Sequence, residues 1–460
     1  MNRVDVSAEW LSVPAGIVGA AAVLTLAPVD GATARLLAIT VFCIALWIGT
    51  PVPPAVTGIL CIGLVGLAFS TDLALTGFQS PTIWLVVFGL LLGEAARRSG
   101  LANWTGTRIE ATAFPDDADS LSARRAYTRL LVVLCGAAIG FALLIPSALV
   151  RILILAPLLI ELGQTFESDK ARMGVFLGPT LVTFYASPGI FTAGLPNIIT
   201  TGIAESLGAS TASWTAWTVQ MFPLMGLGRA VVVTAIVYLL FRPSTETTVQ
   251  TPTRQQSMTG AERRMLGFML VGALIWMTDS VHGLHPLFGA LAVVLLALLP
   301  GVGVISLDDL SDVDISIIFF IGAVFAIGTG FAETGFAEAA ANELLTVVPT
   351  DAALWVVLSI VYGITTALSF LMEGLAVASV LTPVLVSYAQ GTGVPLDPIL
   401  MVESVALSTY FFPYQTVVLV TLLGEDVVSV RGLIKTVVLA SVLTTVLLLP
   451  LQIGLFTMLY

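Results

Sequence analysis

Charge is what this chain lacks. Only 10% of its 460 residues are Asp, Glu, Lys or Arg, where soluble domains carry about 25%. A soluble reading would need a core with almost no surface. Lysine is scarcest: of 18 basic residues, only Lys170 and Lys435 are lysines. With a net charge of −11, no basic face suited to nucleic acid can be assembled. Histidine is confined to His282 and His285, in "HGLH". No H-E-x-x-H or G-x-S-x-G occurs, which leaves a membrane enzyme as a remote alternative. The three cysteines, Cys43, Cys61 and Cys135, sit in apolar runs without C-x-x-C spacing. That pattern excludes a disulfide framework and a cysteine metal site. No cofactor is expected beyond a coupling ion.

What the chain has is apolar sequence, with 57% hydrophobic residues and a mean hydropathy of +1.01. Runs of about 17–25 apolar residues are the mark of bilayer-spanning helices. Spans are expected near 11–28, 35–50, 55–70, 82–98, 173–188, 216–241, 265–281, 286–303, 315–338, 398–412 and 436–457. Two further blocks, 129–163 and 353–390, are broken near their middles. The expected fold is therefore an all-α polytopic membrane protein of about eleven spans plus two broken blocks. A first helix occupies 1–30. One half covers 31–241, a polar linker 242–262, and a second half 263–460.

If the N-terminus is inside and each broken block returns to its starting side, almost every basic residue falls inside. These run from Arg3, Arg97 and Arg98 to Arg431 and Lys435, with Arg254 in the linker. Only Arg35 falls outside, while Arg151 and Arg229 stay at membrane depth. This bias supports a cytoplasmic N-terminus and an external C-terminus in a cell membrane. The inside loop "SLDDLSDVD" (306–314) is wholly acidic and reads as a solvated loop. Its D-D-x-x-D spelling also fits a metal–diphosphate motif of intramembrane prenyltransferases, but such a site needs a second Asp-rich loop, and the nearest candidate, "FPDDAD" (114–119), lacks the spacing.

The broken blocks overlay at a shift of 226. "LIPSALVRILILAPLLIELG" then matches "FLMEGLAVASVLTPVLVSYA", with Pro157 on Pro383 and Leu149 on Leu375. Upstream, "SGLA" (99–102) matches "TGFA" (334–337). Each half holds an odd number of spans, which turns the second half upside down. Inverted repeats with a midplane site at broken helices are the plan of secondary transporters. The blocks read as re-entrant hairpins or as pairs of full spans, since charge parity is the same for both. Irregular backbone at mid-depth requires burial in protein or a watery cavity.

"TVFCIALWIGTPVPPAVTGIL", "FQSPTIWLVVFGLLLGEAARRSGLANW", the two Pro-containing blocks and "PYQT" (413–416) resemble the divalent anion/sodium symporters. These are the sodium-coupled sulfate and dicarboxylate carriers of the ion-transporter superfamily. The resemblance covers roughly residues 30–456. It implies eleven spans, two re-entrant hairpins, a homodimer and an elevator motion. It also implies Ser-Asn-Thr at each hairpin tip, binding sodium and the anion. Here the tips read Ser147-Ala148-Leu149 and Glu373-Gly374-Leu375. The loop after the first hairpin keeps Thr192, Pro196 and Asn197. The second keeps Gln415 and Thr416, with Val417 where the family pattern has Asn.

Ionisable groups at membrane depth cost about 2.5–3.5 kcal/mol on insertion scales and mark function by default. Arg151, one turn past Ser147, could hold a carboxylate or sulfate by two prongs, pair internally, or reach the cytosolic side. Glu373 could bind a cation, carry a proton, pair with Arg151, or face solvent. Cation or proton coupling is thus expected at Ser147, Thr192, Asn197, Glu373 and Gly374. Substrate contact is expected at Arg151, Ser147, Pro196, Gln415 and Thr416. Glu403 and Arg229 are secondary candidates, and Glu94, Glu161 and Glu333 lie nearer span ends. The expected activity is secondary active transport of a dicarboxylate, sulfate or similar oxyanion, coupled to sodium or protons. A cation/proton antiporter using the intramembrane acids is the alternative.

Overall fold

The computed structural model describes residues 8–114, 122–244, 257–347 and 352–460. Arg3, Arg254, most of the linker and most of "FPDDAD" lie outside them. The described chain is helical, without a strand. The first half runs α1 (Ser12–Leu26), α2 (Gly31–Gly49), α3 (Pro54–Ala68), α4 (Thr71–Gln79), α5 (Pro81–Arg98) and α6 (Leu101–Ala113). It continues with α7 (Ala123–Leu144), α8 (Ala148–Gly163), α9 (Asp169–Tyr185), α10 (Leu195–Ser206), α11 (Trp214–Met221) and α12 (Arg229–Phe241). The second half runs α13 (Gly260–Met277), α14 (Asp279–His282), α15 (Leu287–Leu298), α16 (Ile317–Glu333), α17 (Phe336–Val347) and α18 (Leu354–Ser369). It ends with α19 (Gly374–Thr392), α20 (Leu396–Leu407), α21 (Val417–Leu423), α22 (Val430–Leu447) and α23 (Leu449–Leu459).

Helix starts follow local chemistry. Asp30 accepts from the Ala32 and Thr33 amides at the head of α2. Ser70, Ser168, Ser213 and Ser429 cap α4, α9, α11 and α22 in the same way. Thr259 and Glu262 form a reciprocal capping box on α13. Each cap satisfies backbone donors that a helix cannot pair itself.

Length and apolarity alone select five helices able to cross a membrane, or seven when the bent pairs α4–α5 (48°) and α16–α17 (74°) each count as one. Fewer than eleven pass by length for a physical reason, although each of the eleven expected runs holds helix. Helices α1, α3, α15 and α18 are apolar but short, and α9–α10 and α20–α21 are split by irregular backbone. Five helices lie largely outside the expected runs: α4, α6, α10, α17 and α21.

The internal match survives in the backbone. After α5, Gly100 takes φ +81 and α6 begins; after α16, Gly335 takes φ +76 and α17 begins. Only glycine adopts this left-handed turn cheaply. Ser147 and Glu373 occupy the same N-cap position of α8 and α19, and each helix carries an internal proline, Pro157 or Pro383. The following breaks also correspond, with short 3-10 turns at Phe191–Ala193 and Pro413–Gln415.

Both broken blocks are hairpins. In the first, Tyr127 of α7 lies against Gly174, Leu131 against Gly178, and Ala138 against Thr183, so α7 runs parallel to α9. Helix α8 runs the other way, with Arg151 against Thr183 and Gly163 against Arg172. The tip therefore reaches only the end of α9. In the second, α19 runs antiparallel to α20, with Gly374 against Leu407 and Thr382 bonded to Glu403. Ser369, closing α18, meets Gln415 in the following break.

Loop contacts sort the chain into two faces. On one, Arg98 pairs with Asp309, Gly100 abuts Glu262, and Met173 meets Ser429 and Gly432. On the other, Thr33 bonds Thr334, Ala212 bonds Asp397, and Glu205 meets His285. The grouping matches the one expected from alternating spans, and it places the bases of the two hairpins on opposite faces. The acidic loop is not simply solvated. Asp309 and Asp312 both clasp Arg98, which with Arg97 also holds Glu94. The backbone N–H and hydroxyl of Ser306, together with Arg98, hold the Asp309 carboxyl below the usual carboxylate range.

Candidate functional site

The candidate residues gather where the two breaks meet. Phe184 stacks on Tyr410 with ring centroids 4.8 Å apart. The Tyr185 hydroxyl donates to the Tyr410 carbonyl at 2.9 Å and lies 2.9 Å from Ser441 Oγ. Arg229 spans the two breaks. One Nη donates to the carbonyls of Tyr185 (3.3 Å) and Ser408 (3.4 Å), the other to Thr409 Oγ1 (2.7 Å). A π-helical turn, Phe222–Gly228, immediately precedes Arg229 in the chain, an irregularity that often accompanies functional positions.

Arg151 is wholly buried, at 0% exposure. Its Nε donates to Thr183 Oγ1 (2.6 Å), and Nη1 donates to the Ile145 carbonyl (2.6 Å). Its Nη2 donates to the carbonyls of Thr183 (2.9 Å) and Ala193 (3.0 Å). The guanidinium thus ties the hairpin tip to the end of α9 and to the break beyond it. It does not pair with Glu373; its hydrogen-bond partners are Ile145, Thr183 and Ala193.

Asn197 does a related job from the first turn of α10. Its amide donates to the carbonyls of Ser187, Ile190 and Phe191 at 3.0, 3.0 and 3.3 Å. Its Oδ1 is buried without a partner. Thr192 Oγ1 accepts from the Trp214 indole at 3.1 Å. Half-buried Pro196 opens the same helix, and its carbonyl accepts from Thr200. In the second break Gln415 is the organiser. Its Oε1 accepts from the Phe411 and Phe412 amides (2.6 and 2.8 Å), and its Nε2 donates to the Ser369 carbonyl (2.8 Å). Thr416 caps α21.

The tips differ from these interior locks in being half-buried. Ser147 sits at φ +90, one of two non-glycine residues in that region among those described. Strain of this kind costs about 1–3 kcal/mol and clusters at functional sites. Glu373 is relaxed at φ −64, and its Oε2 accepts from the Leu375 amide at 2.7 Å. Gly374 follows it, packed near the Leu407 carbonyl. Glu403 lies deeper, at 0% exposure. Its Oε1 accepts from Thr382 Oγ1 at 2.8 Å, and its Oε2 has no partner.

The structure therefore brings Arg151, Thr192, Asn197 and Ser147 together in one half, and Glu373, Gly374, Gln415 and Thr416 in the other. Sequence reasoning missed Thr183, Tyr185, Trp214, Tyr410 and Ser441. Their signal was available: each is a polar-tipped side chain inside or beside an apolar run. A cavity of 470 Å³ lies elsewhere, lined by Leu207, Glu338, Asn342, Tyr388 and Gln390. It sits toward the opposite end of α19, roughly 20 Å from Glu373 by helical rise. Among the described residues no group of His, Cys, Asp and Glu could hold a metal ion. The two histidines engage local backbone, Ile275 and Leu284 for His282 and Leu287 for His285.

Comparison with known proteins agrees with this architecture. The L-tartrate/succinate antiporter of Shigella dysenteriae is 24% identical over 374 residues, covering 76% of this chain and 73% of that protein. The protein of the same description from Escherichia coli K12 is 25% identical over the same shares. Among solved structures, the YdaH transporter of Alcanivorax borkumensis, described as having an unusual topology, superposes with a TM-score of 0.58. It does so at 13% identity, covering 94% of this chain and 99% of that one, which speaks to fold alone. These relatives are transporters, and the chain is read as one and not as an enzyme. The family described as "CitMHS: Citrate transporter" matches residues 44–406, and the chain belongs to that family.

Proposed function

We propose that the protein is a secondary active transporter of a small di- or tricarboxylate, with the anion held between the two hairpin tips. The observation that carries this reading is the convergence of helix ends from both halves on the paired breaks. The N-termini of α8, α10 and α19 end there, and N-terminal dipoles favour anions. The C-termini of α7, α9, α18 and α20 end there too, and C-terminal carbonyls favour cations. This is the arrangement by which broken helices hold an anionic substrate beside its coupling ion.

Ser147 and Glu373, half-buried at the tips, are the residues we place nearest the substrate and its ion, with Gly374 giving close backbone approach. Thr192, Pro196, Asn197, Gln415 and Thr416 shape the two breaks. Arg151 and Arg229 act as positioning residues, because their donors hold break and tip carbonyls. Sodium or a proton is the coupling species, and the hairpins are re-entrant. The Arg-rich face is cytoplasmic, with the N-terminus inside and the C-terminus outside. Movement is of the elevator type within a homodimer, in keeping with the divalent anion/sodium symporters. The sulfate and oxyanion substrates of that comparison rank below carboxylates, because the matched family and relatives carry carboxylate names. Exchange of one dicarboxylate for another is a second reading, favoured by the antiporter relatives.

The test is uptake of labelled citrate, succinate and tartrate into proteoliposomes, with sodium or potassium outside and with or without a pH gradient. Saturable uptake of at least one, dependent on an ion gradient or on internal counter-anion, is expected. Folded protein that moves none of them would refute the reading.

A further inference from the structure

We infer that Glu403 carries the coupling proton, taking it up in this conformation and releasing it when the seam around it opens. The inference rests on the transport reading above and assigns its coupling group. The carboxyl is wholly buried, with Oε1 on the Thr382 hydroxyl and Oε2 on nothing. Helix α20 packs against α18, α19, α10 and the 3-10 turn Ser187–Gly189. None of these carries Arg, Lys or His.

Their titratable groups are few. In α18 there is Tyr362, bonded to Thr445. In α19 there is Tyr388, with Glu373 at the cap. In α10 there is Glu205, beside His285 and Thr211. In α20 itself there is Asp397, which accepts from the Ala212 amide. Among the described residues no Arg, Lys or His pairs with Glu403; Arg229, just past the end of α20, is held by Tyr185, Ser408 and Thr409, and a bare buried carboxylate is strongly disfavoured. A sodium ion would need several oxygens around it, and the side-chain oxygen bonded to this carboxyl is the Thr382 hydroxyl alone. A proton is the species that fits.

The position explains how the proton would couple to movement. Glu403 is nine helix residues from the Glu373 level, roughly 13 Å by helical rise, so it is outside the substrate position. Its neighbour Ser404 bonds Thr200 of the first half at 3.0 Å. Pro383, next to Thr382, packs near Gly328 of α16. The acid thus sits where α19, α20 and α10 join the two halves. Neutral, it lets them close; ionised, it demands water or a cation and drives them apart.

The experiment uses the full-length protein in nanodiscs. Infrared spectra taken across pH should show a protonated-carboxyl stretch in the wild type that persists in Glu373→Gln and disappears in Glu403→Gln. Persistence of an unchanged band in Glu403→Gln would overturn the proposal. Should that variant fail to fold, Glu403→Asp keeps a titrating acid, and its band should move in position and in pH. In proteoliposomes, accumulation of labelled citrate, succinate or tartrate driven by a pH gradient should be lost in Glu403→Gln. Retention of the wild-type pH profile would equally overturn it. Failure of the wild type to move any of the three anions would instead overturn the transport reading, while the infrared band still decides where the proton resides.

Discussion

The two halves repeat one backbone but not one electrostatic design. Arg151 in the first hairpin corresponds, at the hairpin shift, to Val377 in the second. Glu403, aligned by the helix breaks, corresponds to Leu181 in the first half; Val377 and Leu181 are both buried hydrophobics. So the first half carries a buried base clamped by carbonyls, and the second carries a buried acid with one oxygen unclaimed. The Ser147 tip is strained and the Glu373 tip relaxed. The difference teaches that the repeat supplies the frame, while each half was given a separate task. We assign the lock to the first half and the coupling proton to the second.

This contrast can be broken in a graded way. Arg151→Met should be the most damaging change. It strands the Ile145, Thr183 and Ala193 carbonyls in the interior, for a loss of about 3–5 kcal/mol seen as a large drop in thermal midpoint. Val377→Met, at the matching position, should cost less than half as much, because no polar group loses a partner. A comparable loss in both would erase the asymmetry.

Next come the break organisers. Asn197→Ala and Gln415→Ala should each cost about 1–3 kcal/mol, to a similar extent, because each side chain holds three backbone groups. Thermal melts of the two variants, each against wild type, check this directly. Ser147→Gly should act in the opposite direction. Removing the side chain from φ +90 should stabilise the fold by about 1 kcal/mol, and denaturation midpoints would expose a wrong sign.

The smallest effect should come from the loop lock on the Arg-rich face. Arg98→Ala should move the thermal midpoint least of these variants, and less still in high salt, because these pairs are partly exposed. Asp309 has a depressed value in the folded protein, so its contribution is present above the unfolded carboxylate range and lost as pH falls through the folded value. Melts at neutral and strongly acidic pH should therefore differ more for wild type than for Asp309→Asn.

Much of this frame was legible in the sequence. The turns after Ser99 and Thr334, the caps at 147 and 373 and the prolines at 157 and 383 all fall where the internal match puts them. Local chemistry sets such features: glycine for a left-handed turn, a cap before a helix, proline ten residues on. The sites were less legible, because their partners are distant in the chain. Nothing near Arg151 announces Thr183 and Ala193, and nothing near Arg229 announces Tyr185 and Ser408. The acidic loop read as solvated because its partner, Arg98, lies more than two hundred residues upstream. The short helices α4, α6, α10, α17 and α21 escaped notice because each is too brief to register as a span.

The central claim is that the two tips and breaks enclose one carboxylate-transporting site. It is tested most directly by uptake of labelled citrate, succinate and tartrate into proteoliposomes bearing wild type or Ser147→Trp, with folding of the variant checked by its thermal melt. The account predicts saturable uptake of at least one anion by wild type and its loss in the folded Ser147→Trp protein. Undiminished uptake with the first tip filled by an indole would contradict it.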